Sequence, residues 1–231
     1  MASRTPAPPH RRVRRGSAED HDELRQHIVA AAFAIHARDG VAALSMRTLA
    51  AELGVSAMAL YRYYPSKADL LRTMWEVVLT EAQETVRAAM AKGTTARERL
   101  RASIDGFLAY WESHPSHFQL VYMTPETMQA AGDSSPLTRS RAYASAVDLA
   151  SPLVDDLIAE VGGHPERALL ARDLRMSLMV GYLHARLVNT RFPWSDLPAL
   201  RAAAIDTIAS GVEACVLAAP GKKPRAGTRR R

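Results

Sequence analysis

The segment that most constrains the fold is residues 44–71, which read LSMRTLAAELGVSAMALYRYYPSKADLL. Apolar residues recur at helical spacing from Met46 to Leu53, so they predict a two-turn helix with one apolar face. Ser45 precedes this face as a candidate N-cap. Gly54 follows it where a helix commonly ends in a left-handed residue. The pattern therefore predicts a short helix that ends in a tight turn.

The residues on either side of this helix predict three more helices. Ser56 is a candidate cap for a second short helix, and Pro65 ends that helix because it disfavours helical geometry at the residue before it. A long amphipathic helix is predicted after Pro65. Apolar residues at helical spacing from Leu24 to Ile35 predict a preceding helix that ends near Gly40. Together these elements predict a small helical domain that contains a helix-turn-helix.

Hydrogen-bond donors dominate the positions of this segment that are predicted to be exposed. No acidic residue lies between Glu52 and Asp69, whereas arginine, lysine and tyrosine recur there. Such side chains neutralise phosphates or bond to them, and a guanidinium can also bond bidentately to guanine. Capped helices around a glycine are common, so the helical pattern alone also fits an ordinary bundle. The predicted DNA-contacting residues are Arg47, Thr48, Ser56, Ala57, Met58, Tyr61, Arg62, Tyr63 and Lys67.

Residues of about 24 to 75 resemble the DNA-binding domain of TetR/AcrR-family transcriptional regulators. The resemblance rests on Gly40, Ser45, Arg47, Leu49, Ala50, Leu53, Gly54, Val55, Ser56, Leu60, Tyr61, Tyr64, Lys67, Leu70 and Leu71. It implies phosphate contacts from Tyr61, Tyr63 and Lys67. It also implies a homodimer, a palindromic double-stranded DNA operator and a small-molecule effector that releases the protein from that operator.

The two predicted base-reading residues are Arg47 and Arg62. The start of the second helix, after Ser56, carries Ala57, Met58 and Ala59, which can meet thymine methyl groups but donate no side-chain hydrogen bonds. We therefore expect an operator that is read through few direct hydrogen bonds, with DNA shape and the basic N-terminal arm contributing.

The net charge of +6 is concentrated at the two ends of the 231-residue chain. Residues 1–15 carry five arginines and residues 218–231 carry six basic residues, without any acid, so the remainder has a net charge of −5 (+6 minus +11). The basic ends either keep the chain soluble as disordered segments or contact DNA; the N-terminal arm is the better placed to reach a minor groove. The expected organisation is a basic arm over 1–20, a helix-turn-helix domain over 21–68, a helical domain over 69–218 and a basic tail over 219–231.

The remaining composition bounds the cellular setting and the fold. No apolar run approaches the ~20 residues of a membrane span. Cys215 is the single cysteine, which excludes an internal disulfide and fits a reducing cytosol. Residues after 95 carry helical periodicity without alternating β-branched patterns, so the predicted fold is all-α. We expect a cytoplasmic protein that does not bind membranes.

The larger C-terminal domain is predicted to bind the effector and to form the dimer. Its last two helices are expected over about Pro165–Asn189 and Leu197–Leu217, and the resemblance implies that they pair with their copies in a four-helix interface. Aromatic and methionine side chains at helical spacing are more often core than pocket, but some are expected to line an apolar cavity. The candidates are Trp111, Phe118, Tyr122, Tyr143, Met179, Tyr182 and His184.

Other chemistries find little support in the sequence. His114 and His117 are three residues apart, but they flank Pro115 near a helix start, which favours a capping or surface role over a metal site. Catalytic arrangements and Gly-rich phosphate loops are not evident, so no enzyme activity and no cofactor are expected. Two alternatives to a ligand-responsive regulator remain: an architectural DNA-binding protein that uses the basic tails, and an all-α enzyme or small-molecule carrier.

Overall fold

The computed structural model describes residues 18–124 and 141–219, and every regular element in these ranges is helical. The predicted all-α class is therefore confirmed. The chain divides into two compact units between Lys67 and Ala68. Most of the predicted basic arm and basic tail lies outside the described residues. Within those residues, no helix combines the length and the apolar character that a membrane crossing requires.

The N-terminal unit contains three helices whose apolar faces meet in one core. They are α1 (Ala18–Asp39), α2 (Met46–Glu52) and α3 (Ala57–Tyr61), and a 3₁₀ turn over Val41–Ala43 follows α1. The fully buried side chains of this core are Ile28, Ala32, Ile35, Leu44, Leu49, Leu60 and Tyr64. Because α2 and α3 are each too short to be stable alone, this shared core holds them in place.

The turn between α2 and α3 has a Schellman arrangement. Gly54 adopts φ +66°, in the left-handed region that glycine enters without a Cβ clash. The N–H of Gly54 donates to the carbonyl of Ala51 at 3.3 Å, and the N–H of Val55 donates to the carbonyl of Ala50 at 3.0 Å. The predicted end of the helix at Gly54 is thus confirmed, and this turn sets the direction of α3.

The C-terminal unit is a bundle of longer helices. They are α4 (Lys67–Met90), α5 (Ala96–Ser113), α6 (Pro115–Tyr122), α7 (Arg141–Val161), α8 (Ala168–Val188) and α9 (Leu197–Leu217). Helix α8 packs against α5, α7 and α9, and α5 also packs against α7 and α9. The bounds of α9 agree with the sequence prediction, and a capping box of Thr95 and Glu98 begins α5. Buried faces of α4 and α6 complete the core of the unit.

Two prolines of the C-terminal unit differ in their effect on helices. Pro165, the predicted start of a helix, does not open α8 directly; it opens a 3₁₀ turn over Pro165–Arg167, and α8 begins at Ala168. Pro152 lies inside helix α7, which is continuous from Arg141 to Val161. Its side chain is exposed, so the ring displaces no packed neighbour.

Candidate nucleic-acid interface and effector site

The helix-turn-helix begins with a reciprocal cap on α2. The Oγ of Ser45 accepts a hydrogen bond from the backbone N–H of Thr48 at 3.1 Å, and Oγ1 of Thr48 accepts one from the N–H of Ser45 at 2.9 Å. Helix α3 begins with Ser56, whose Oγ accepts a hydrogen bond from the N–H of Ala59 at 3.2 Å. Both predicted caps are present. They define the start of each helix and so the side chains that its first turn exposes.

Thr48 and Ser56 take part in these caps and are also predicted to contact DNA. Both residues are exposed, so their backbones lie at the surface of the unit. The Oγ1 of Thr48 also lies 2.9 Å from the carbonyl of Ala43, to which it donates its proton. Thr48 is predicted from the sequence as a DNA contact only, so its capping role is an additional finding. The sequence does contain an indication of this role, because a hydroxyl three residues after an N-cap serine resembles a capping box.

Helix α3 presents a surface that is apolar at its start and polar at its end. Leu60 and Tyr64 are buried at 2% exposure, whereas Met58 is 75% exposed and Tyr61 is 45% exposed. Ala57 is half-buried beside Met58. The unit thus offers a methionine side chain and a tyrosine hydroxyl on the same short helix.

The two arginines predicted to read bases are both exposed. Arg47 lies in the first turn of α2, and Arg62 follows the last residue of α3. Neither guanidinium has an ion pair or a hydrogen bond within the described residues. Their donors are therefore available for an acceptor outside the protein.

The nearest acid in the sequence, Glu52, is engaged by another arginine. The guanidinium of Arg38 on α1 donates to both carboxylate oxygens of Glu52, at 3.3 and 3.2 Å, and its Nε donates to Asp39 at 2.9 Å. Hydrogen bonds to these two carboxylates raise the pKa of Arg38 above its ordinary value. This pair offsets an acidic charge on α2 beside the predicted DNA-contacting residues. No pattern in the sequence indicates that Arg38 and Glu52 are paired.

Tyr63 and Lys67 have neighbours within the N-terminal unit. The ring of Tyr63 lies against the imidazole of His21 on α1, with centroids 4.9 Å apart. The ammonium of Lys67 lies 3.5 Å from the carbonyl of Val41, at the limit of a hydrogen bond. Both side chains are half-buried, so they are held more firmly than Arg47 and Arg62.

Four of the predicted effector-binding residues lie in the interior of the C-terminal unit or at its edge. Trp111, Phe118 and Met179 are fully buried, and Tyr122 is half-buried. The ring of Trp111 lies 6.0 Å from that of Phe118 and 5.3 Å from that of Tyr122. The indole Nε1 of Trp111 is buried without a hydrogen-bond partner. The structure therefore brings the three aromatic residues into one cluster on α5 and α6.

Tyr182 belongs to a polar network beside this cluster. Its hydroxyl donates to Oε1 of Glu112 at 2.8 Å, and the Nε of Arg201 donates to the other oxygen at 2.7 Å. Partial burial and the hydrogen bond to Glu112 raise the pKa of Tyr182 to about 12. Tyr182 therefore stays protonated at neutral pH and acts as a donor.

The remaining predicted effector residues do not join this group. His184 is exposed and lines an open groove on α8 with Met176 and Val180. The side chain of Tyr143 lies outside the described residues. His114 and His117 stack with ring centroids 5.0 Å apart, and their Nδ1 atoms contact the backbone and the hydroxyl of Tyr110. Within the described ranges, no group of three potential metal ligands occurs.

Comparisons with known proteins agree with this arrangement. Residues 28–74 match the model of a family described as bacterial regulatory proteins, tetR family. The chain is 29% identical over 109 residues to the HTH-type transcriptional activator FasR of Mycolicibacterium smegmatis, covering 47% of this chain and 50% of that protein. It is 37% identical over 98 residues to the HTH-type transcriptional repressor DrrR1 of Streptomyces coeruleorubidus, covering 42% of this chain and 35% of that protein. The matches thus span half or less of these two relatives.

The similarity to solved structures extends through both units. A single-residue variant of TetR from Acinetobacter baumannii AYE, solved in complex with minocycline, superposes with a TM-score of 0.59 at 20% identity. The superposition covers 84% of this chain and 98% of that one. At this identity it establishes a shared fold.

The fold and the capped helix-turn-helix define an all-α protein with an N-terminal helix-turn-helix domain of the DNA-binding class and a larger helical domain. Residues 28–74 thus carry the N-terminal DNA-binding domain of bacterial regulatory proteins of the tetR family, and the two relatives that the chain matches are named as transcriptional regulators. The family resemblance inferred from residues 24–75 is therefore confirmed.

Proposed function

We propose that this protein is a homodimeric transcriptional repressor that binds a palindromic DNA operator and leaves it when a small molecule binds the C-terminal unit. The observation that carries the proposal is the pair of exposed arginines, Arg47 and Arg62, without acidic partners among the described residues, on the two helices of a capped helix-turn-helix. The protein would act in the cytoplasm, without enzymatic activity.

In this proposal, DNA is held mainly through its phosphates. Tyr61, Tyr63 and Lys67 are the phosphate-contacting side chains, and the N–H groups that the side-chain caps leave free at the first turns of α2 and α3 add further donors. Arg47 and Arg62 read base edges, and Met58, at 75% exposure, meets thymine methyl groups. Because so few side chains on α3 can donate, sequence-dependent DNA shape supplies part of the specificity.

The proposed dimer buries an apolar face of the C-terminal unit. Met176, Leu178 and Val188 on α8 are 40%, 37% and 38% exposed, and Leu217 on α9 is 45% exposed. Exposed large apolar side chains on two packed helices favour a partner surface. A two-fold dimer of a helix-turn-helix protein reads two half-sites that lie about 34–36 Å apart on the DNA, one helical turn.

The proposed effector binds beside the aromatic cluster of Trp111, Phe118 and Tyr122. A protein that shares this fold has been solved in complex with minocycline, which supports a small-molecule ligand for this chain. Helix α4 begins at Lys67 and extends into the C-terminal core, where Nε1 of Trp75 donates to the carbonyl of Leu120 on α6 at 3.1 Å. An effector that shifts α6 therefore also acts on the helix that leaves the DNA-binding unit. It changes operator affinity only to the extent that it binds the two states differently.

Selection of bound sequences from random double-stranded DNA tests the DNA-binding part of the proposal. We expect a palindromic motif whose half-sites are centred about 10 base pairs apart. A double variant, Tyr61→Phe with Lys67→Gln, keeps the fold but loses phosphate contacts, so it should enrich the motif more weakly. Enrichment without any motif would instead support an architectural DNA-binding protein, and absence of enrichment would favour an enzyme or carrier.

A reporter gene placed behind the selected motif tests the repressor part. Repression by the wild-type protein is expected, and activation would place this chain with regulators that act like its M. smegmatis relative, whose name describes an activator.

A further inference from the structure

Helix α8 buries one charged residue in an otherwise apolar stripe. Its buried residues are Ala171, Arg175, Met179 and Leu183, which recur every four positions and so lie along one face. Arg175 is 7% exposed, whereas the other three are fully buried. Within the residues that the structure describes, Arg175 is the only lysine, arginine, aspartate or glutamate that is buried.

The guanidinium of Arg175 has no partner in the described residues. Its Nε is buried without a hydrogen bond, and neither an ion pair nor another hydrogen bond involves this side chain. Other arginines of the C-terminal unit are paired: Arg97 contacts Glu213 at 2.7 Å, and Arg201 contacts Glu112 at 2.7 Å. Arg97 and Arg201 are more exposed than Arg175, so they lose less hydration on folding and need a counter-ion less. They are nevertheless paired, whereas Arg175 is not.

An unpartnered buried guanidinium is costly, because the charge loses its hydration without gaining a counter-ion. Burial lowers the pKa of Arg175 to about 10, but the group still remains protonated at neutral pH. Arginine has no neutral form available to relieve the cost, in contrast to lysine or histidine. A residue of this kind in a ligand-binding domain therefore calls for an anion.

We propose that Arg175 is the anchor for the acidic group of the effector, and that the effector is an organic acid with an apolar body. This proposal rests on the proposed function in that it names the chemical class of the small molecule. The neighbours of Arg175 on α8 are Ala171 and Met179, and α8 packs against α5, which carries Trp111. The unpartnered indole N–H of Trp111 is a second buried donor, on a helix that packs against α8.

The apolar surroundings select an organic acid over an inorganic anion. A phosphate or sulfate ion would give up a strong hydration shell for one guanidinium and gain no apolar contact. A carboxylate attached to an aliphatic or aromatic body pairs with Arg175 through two parallel hydrogen bonds and buries its body against apolar side chains.

Matched pairs of ligands test the proposal on the full-length protein. The probes are octanoate, dodecanoate and 2-naphthoate, each beside its neutral amide, with inorganic phosphate as a further probe, at about pH 7.5 where carboxylates are ionised. Binding is measured by calorimetry and by the change in the melting temperature Tm. We expect at least one acid to bind about tenfold or more tightly than its amide, since loss of a charge-assisted pair costs at least that factor.

Three variants locate the effect. Arg175→Met is expected to remove the preference for the acid, and Arg175→Lys to keep part of it. Arg172→Met removes an arginine from the same helix that is paired with Asp173 at 2.8 Å, and it should keep the full preference. The proposal is overturned if no acid is preferred over its amide, if phosphate binds as well as the acids, or if Arg175→Met retains the preference.

The melting temperature of the ligand-free protein gives an independent readout. Replacing an unpartnered buried cation by an apolar side chain of similar length should raise Tm by about 2–4 °C. A lower Tm for Arg175→Met would show that the protein itself satisfies the guanidinium, and this result would also overturn the proposal.

Operator binding separates this proposal from the proposed function. If both hold, the preferred acid releases the wild-type protein from DNA, and Arg175→Met stays bound. If the acid binds through Arg175 but the protein binds no operator, the proposed function fails and the anion site stands. If the protein binds its operator but shows no preference for acids, only the anion site fails.

Discussion

Ser45 and Thr48 cap the first helix of the helix-turn-helix through each other: each side-chain oxygen accepts the backbone N–H of the other residue, at 3.1 and 2.9 Å. Two of the N–H groups at the start of α2 are satisfied in this way without water. Arg47 lies between the two capping residues. The same hydrogen bonds that start α2 therefore also position an arginine that is proposed to read DNA.

Removing this cap should destabilise the N-terminal unit. Ser45→Ala is expected to lower the free energy of unfolding by about 1 kcal/mol, because the N–H of Thr48 loses its acceptor. Thr48→Ser keeps the hydroxyl and should cost less. Urea denaturation followed by circular dichroism measures both changes. Equal destabilisation by the two variants would contradict the assigned role of the Thr48 hydroxyl.

The buried hydrogen bond between α4 and α6 should also be measurable. Trp75→Phe keeps an aromatic ring but removes the donor at 3.1 Å from the carbonyl of Leu120, so we expect a loss of about 1–3 kcal/mol in unfolding free energy. Trp111 is a matched control, because it is also fully buried but its Nε1 has no hydrogen-bond partner. Trp111→Phe should therefore cost less than Trp75→Phe, and the opposite order would count against the assignment.

The ion pair between Arg97 and Glu213 predicts a dependence of stability on pH. A hydrogen bond and the charge of Arg97 lower the pKa of Glu213 below its ordinary value of 4.5. A carboxyl with a lowered pKa stabilises the folded state above the pKa of the unfolded chain and loses this effect as pH falls through the folded pKa. Glu213→Gln should therefore lower Tm at about pH 7 by about 1–3 °C, the range expected for a surface pair.

The difference between wild type and Glu213→Gln should disappear once the pH is well below 4.5. It should also shrink in high salt, because the pair is partly exposed to solvent. Glu84→Gln is a control, since Glu84 is exposed and has no ion pair within the described residues. A pH profile of Glu213→Gln that parallels the wild type over the whole range would contradict the assigned ion pair.

Much of the local structure could be predicted because it depends on residues that are close in sequence. The caps at Ser45, Ser56 and Thr95, the left-handed turn at Gly54 and the limits of α9 follow from short patterns of residues. The sequence prediction places the start of α8 three residues early. Proline is favoured at the start of an α-helix, and Pro165 instead begins a 3₁₀ turn.

What sequence could not provide is the pairing of distant residues. The contact of Arg38 with Glu52 joins two helices, and the contact of Tyr182 with Glu112 joins residues 70 positions apart. The burial of Arg175 is of the same kind. The segment from Met176 to Val188 is apolar nearly all round, so its pattern does not indicate which face of the helix is buried or that Arg175 lies on it.

Binding of the selected operator by four proteins shows whether Arg47 and Arg62 read the DNA: wild type, Arg47→Ala, Arg62→Ala and the remote control Arg172→Ala. Affinity is measured for the operator, for each single-base variant of it and for random DNA at one salt concentration. We expect each of the two interface variants to lose about 1–3 kcal/mol of discrimination at its own base positions, while the control retains it. Undiminished discrimination in both Arg47→Ala and Arg62→Ala would contradict the assignment of these arginines as the residues that read DNA.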